Sequence, residues 1–142
     1  MLDSTLTEGK MTETEELQAI AERMAKVCPI WMLPGCCTSD GLRIVEVRPQ
    51  SKLLTVFASL ADETIVVKNV LAEAIPKLTD IATRGALWER WCPQGMFAHD
   101  DLTDDWFAAR NMTATLKTAT RAKWPSVSKM QAVLAAMKAT NG

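Results

Sequence analysis

Tyrosine is missing, histidine occurs once, and glycine and proline number six each in 142 residues. One histidine, His99, rules out the multi-histidine centres of metal-dependent phosphohydrolases. Its position beside Asp100, Asp101, Asp104 and Asp105, away from any candidate nucleophile, also argues against an activated serine or cysteine. The few glycines form no G-x-S-x-G elbow, no P-loop and no Gly-rich dinucleotide turn. No apolar run approaches the roughly 18 residues that a membrane-spanning helix needs. No secretory leader is legible, because the first 16 residues carry five acids and lack a basic start followed by an apolar run. A cytoplasmic protein without membrane contact is the expectation. Acid is absent from residues 106 to 142, which hold six bases, whereas residues 1 to 105 hold all 17 acids against 10 bases.

What is present suits a globular chain: 48% hydrophobic and 23% charged residues, in a length that buries about two-thirds of its unfolded surface. The expectation is a flexible tail over 1–11 and one compact domain over 12–142. Cys28, Cys36, Cys37 and Cys92, with His99, would suffice in number for a zinc site. Paired C-x₂₋₄-C knuckles are absent, however, and adjacent Cys36 and Cys37 would strain a shared centre. They read as reduced, buried thiols, with neither metal nor cofactor expected.

Thr12 and Glu15 form a capping-box signature ahead of Leu17, Ile20, Ala21, Met24 and Val27, so a helix should run from there to Pro29. LRIVEVRP and KLLTVFAS, parted by a Pro-bearing turn, predict a hairpin, and TIVVK at 64–68 a third strand. Val70 to Trp91 has helical spacing interrupted by Pro76. HDDLTDD then reads as a helix start, with Thr103 as cap, acids in the first turn and Leu102 stapled to Phe107. A final helix begins near Ser126 with Met130, Val133, Leu134 and Met137 on one side. The class is therefore α+β: an N-terminal helix, a small antiparallel sheet of two or three strands, and three or four C-terminal helices.

Two surfaces stand out. On a helix through RNMTATLKTATRAKWPSVSKM, Arg110, Lys117 and Arg121 would fall within roughly 40° of one another, with Lys123 close by, opposite Ala109, Met112, Leu116 and Ala119. Such a stripe suits phosphate contacts, yet it equally suits a solvated helix face. Five tryptophans are many for a small domain. The WERW run (Trp88, Arg90, Trp91) and Trp106 supply the residue types that dominate binding hot spots.

The run WFAARNMTATLKTATRAKWPSVSKM resembles the helical segment of lambda-type phage replication proteins that load the replicative helicase, where a Trp-led helix precedes a Pro-Ser turn and another helix. That resemblance implies an adaptor of phage or mobile-element origin. The functional expectation is a non-enzymatic regulator, inhibitor or adaptor that binds another protein, or a second copy of itself. A nucleic-acid-binding protein using the basic segment is the alternative, and a small metal protein or enzyme comes third.

Overall fold

A computed structural model describes residues 11–28, 31–39, 41–48, 54–59, 65–69, 75–113 and 119–141. Lys117, most of the predicted tail and the Pro49 turn lie outside them. The order of elements is α1 (Glu13–Val27), β1 (Leu42–Arg48), β2 (Leu54–Ser59), β3 (Ile65–Asn69), α2 (Ile81–Trp91), β4 (Met96–Asp100), β5 (Asp105–Ala109), β6 (Thr120–Ala122) and α3 (Pro125–Asn141). The α+β class holds. The described residues contain two antiparallel three-stranded sheets, β1-β2-β3 and β4-β5-β6, and three helices.

α1 starts where its cap signals place it. The Thr12 hydroxyl accepts from the Glu15 N–H, and the Glu15 carboxylate accepts in return from the Thr12 N–H at 3.0 Å. The hydrogen bond from the Thr12 backbone, with that from its side chain, holds the Glu15 carboxyl below its usual range. The hairpin and third strand also form as read, with a bulge between Ile44 and Glu46 that leaves Val45 at the surface.

Three expectations fail. Of the segment read as helical from Val70 to Trp91, residues 70–74 lie outside the described ones, and within 75–91 the helix starts at Ile81, because Pro76 pairs with Thr38 in an isolated bridge and Asp80 caps the helix. No helix starts at Thr103. Residues 101–104 are the tight turn of the β4-β5 hairpin, closed by the Asp104 N–H donating to the Asp100 carbonyl at 2.8 Å. Asp100 Oδ1 accepts from the Leu102 N–H, and that backbone bond lowers the Asp100 pKa. Asp104 takes a left-handed conformation (φ 59°), which a short polar side chain tolerates. Leu102, cast as a staple, is 96% exposed. Cap and turn draw on the same residues, Asp and Thr, because both need a side-chain oxygen close to backbone N–H groups. The Trp-led helix of the phage resemblance is likewise replaced, since Trp106 sits in β5.

α3 is the centre of the core. It packs against α1, α2, β5 and β6. Val127, Met130, Val133 and Met137 are fully buried, and so are the small Ser128, Ala132 and Ala136 that let neighbours approach. A helix apolar on one side only would not be covered in this way. Pro125 fits the first helical position, where its missing N–H costs nothing. The Ser126 hydroxyl donates to the Glu13 carboxylate, joining the starts of α3 and α1.

The hub between the first sheet and α2 is polar. Buried Thr83 accepts the Cys37 N–H at 2.7 Å and donates its own hydroxyl to Asp80 Oδ2 at 2.7 Å. Arg43 donates to the Gly35 carbonyl and approaches Asp80 Oδ1 at 3.4 Å. Burial pushes the Asp80 carboxyl up, but the Thr83 hydrogen bonds and Arg43 outweigh it, so the pKa falls below the ordinary aspartate value.

Candidate functional site

β4 and β5 pair in the register His99↔Trp106 and Phe97↔Ala108, which sets Phe97, His99, Trp106 and Ala108 on one face of the second sheet. α3 covers the Ala108 end of that face and leaves the Trp106 end half open. There the rings touch in sequence. Phe97 stacks on Trp106 with centroids 5.0 Å apart and planes 9° from parallel, and the His99 ring lies 4.6 Å from Trp106, tilted by 48°. Lys129, from α3, sets its ammonium 4.4 Å from the centre of the Phe97 ring and 5.5 Å from that of Trp88. The result is a continuous strip, Trp88–Lys129–Phe97–Trp106–His99, built from α2, α3, β4 and β5.

His99 is clamped at the end of the strip. Its Nδ1 lies 2.9 Å from Asp101 Oδ1 and its Nε2 lies 2.8 Å from Asp104 Oδ1. The Asp104 hydrogen bond first, then that from Asp101, raises the imidazole pKa above its ordinary 6.5. Both nitrogens can donate at once only in the imidazolium. The clamp thus stabilises the turn below the unfolded-state pKa, and its contribution fades as pH rises through the folded value. Since the chain has one histidine, an NMR titration of its ring protons should give a value above 6.5, and Asp104→Asn should move that value down. A titration at or below 6.5 in the parent protein would contradict the clamp.

The described residues among those singled out from sequence divide between three places. Trp88 and Trp106 belong to the strip. Trp91 is buried in the core, and Arg90 lies over it, its guanidinium carbon 5.0 Å from the ring centre. The described members of the basic stripe, Arg110, Arg121 and Lys123, do not share a helical face. Arg121 is in β6, over the Phe107 ring at 4.4 Å, and with Lys123 it faces the half-buried Asp105 carboxylate at 3.7 and 3.4 Å. Arg110 follows β5 and points elsewhere, into a cleft it shares with Arg90. Against known protein families, curated proteins and solved structures, the chain finds no match.

Phe97, Lys129 and His99 were missed from sequence as site residues. The signal for two of them was present: MFAHD carries Phe97 and His99 at alternate positions, which is strand periodicity. All four cysteines are buried thiols, and burial pushes Cys36 and Cys92 up to about 11. Thiols held neutral in this way react slowly. Among the described residues, no group of three or more His, Cys, Asp or Glu is arranged to hold a metal ion. No described helix is long and apolar enough to cross a membrane.

Proposed function

We propose that this protein works by binding another protein, as a non-enzymatic regulator, inhibitor or adaptor, and that the strip from Trp88 to His99 is the contact surface. The continuity of the strip carries this reading. Two half-buried tryptophans, a phenylalanine and a cation are fixed against one another, so little side-chain entropy is left to lose on docking. Arg90 and Trp91 stand outside this surface. The nucleic-acid alternative relied on a helical row of bases, and Arg121 and Lys123 instead share Asp105.

A photo-crosslinking side chain placed at position 106 or 88 in the host cell is the direct test. Both positions should yield the same discrete protein adduct, while position 22, on the exposed face of α1, yields none. Adducts with nucleic acid, or a pattern indistinguishable from that at position 22, would defeat the reading. An adduct of twice the chain mass would make the partner a second copy.

A further inference from the structure

Arg90 is in the last turn of α2 and Arg110 follows β5, yet a parallel bridge between Gln94 and Asn111 brings the two stretches side by side. Between them lies a cleft of about 270 Å³ lined by Arg90, Trp91, Gln94, Arg110, Asn111 and Thr140, with Pro93 at its edge. No carboxylate is among these lining residues, and neither guanidinium forms an ion pair with a described acid. Other arginines are engaged: Arg43 faces Asp80, Arg84 donates to the Leu78 carbonyl, and Arg121 faces Asp105.

Beside the two arginines, Asn111 has a donor to spare. Asn111 Oδ1 already accepts from the Thr113 N–H and hydroxyl, at 3.1 and 2.7 Å, which leaves the amide NH₂ as the unused end. The Thr140 hydroxyl proton is committed to the Ala136 carbonyl. Stacking on Trp91 restricts the Arg90 fork before any ligand arrives. Two positive charges in one concavity, with an amide donor and no counter-charge from its lining, suit a compact anion carrying two charges. The volume lies just below the range of small-molecule pockets, so the cleft fits a charged group and not a whole nucleotide.

We propose that this cleft is an oxyanion site for a doubly charged phosphate monoester group. The site is distinct from the aromatic strip, and its existence does not depend on what the strip binds.

The test is an NMR titration of the full ¹⁵N-labelled chain with inorganic phosphate near pH 8, at ionic strength held constant with chloride. Saturable shifts should appear at the Asn111 and Gln94 side-chain amides and at the arginine Nε–H groups, with a dissociation constant on the order of 1 mM or tighter. Arg90→Ala and Arg110→Ala should each weaken binding about tenfold or more. Arg110→Lys should lose several-fold, because an ammonium keeps the charge without the fork. Both arginines are exposed, so an unchanged spectrum away from the cleft will verify that the variants fold. Glycerol phosphate and a phosphoserine peptide separate the two sources of the group. Equal affinity assigns the site to a small phosphate ester, and at least tenfold tighter peptide binding assigns it to a phosphorylated protein. The proposal is overturned if phosphate gives no saturation, if acetate binds as well, or if the alanine variants bind like the parent.

Discussion

Thr83→Val should lower the unfolding free energy by about 3 kcal/mol, although the two side chains have nearly the same shape. The substitution leaves the Cys37 N–H buried without its acceptor, at a cost of about 1–3 kcal/mol, and removes a hydroxyl donor from an ionised carboxylate, where hydrogen bonds contribute about 1.5–3 kcal/mol. The two losses share one hydroxyl, so they do not simply add. For a chain of this size the change corresponds to a fall in Tm of roughly 6–12 °C. Thr83→Ser keeps the hydroxyl and should recover most of the loss. pH provides an independent check. Asp80 has a depressed pKa in the folded state, so its contribution is present above the unfolded value and is lost as pH falls through the folded one. Without the Thr83 hydroxyl that depression shrinks, and the variant should lose less stability than the parent between about pH 5 and 3. Parallel pH profiles, or a loss under about 1 kcal/mol in denaturant melts, would show that the hub is not coupled in this way.

Gly95→Ala should cost about 2 kcal/mol through overpacking. A Cβ at this position would stand 2.3 Å from the Trp88 Cζ2 atom, 2.7 Å from Cη2 and 3.0 Å from the Cys92 carbonyl oxygen. The indole has little room to yield, because Lys129 lies on its face. The ring must therefore shift, opening the Trp88–Lys129–Phe97 sequence at one end. Denaturant melts should record the destabilisation, and the crosslink from position 106 should weaken although the new methyl lies on the β4 approach and not at Trp106. A variant as stable as its parent, with Trp88 unmoved in its NMR or fluorescence signature, would contradict this account of the glycine.

Much of the first half was legible, because its signals are local. Thr12 and Glu15 are three residues apart, and a strand run such as LRIVEVR carries its own evidence. The second sheet was not legible, for a physical reason. Asp104 and Asp105 serve a turn as well as they serve a helix start, and Trp106 and Phe107 are too few to separate a period of 2 from one of 3.6. The choice is made by Phe97 and His99, nine or fewer residues upstream, which pair across the hairpin. A helical reading of that segment puts the bases beyond it in a stripe and hides the meeting of Arg110 with Arg90. Contacts such as Thr83 with Cys37, 46 positions apart, have no signature in a single sequence. The sequence marks Trp88, Trp91 and Trp106 alike, and nothing in it separates the buried Trp91 from the two rings that join through Lys129.

The central place of α3 has a consequence for how the chain is made. The two other described helices, α1 and α2, lean on an element translated after them, and the tie between Glu13 and Ser126 closes over 113 positions. At about 5–20 residues per second, α1 waits on the order of 5–20 s with Leu17, Ile20 and Met24 uncovered. During that interval the nascent chain presents an amphipathic helix without the α3 surface that covers it. Ribosome-associated chaperones are therefore natural attendants of its synthesis, and its refolding in the test tube should be limited by long-range closure and not by helix formation.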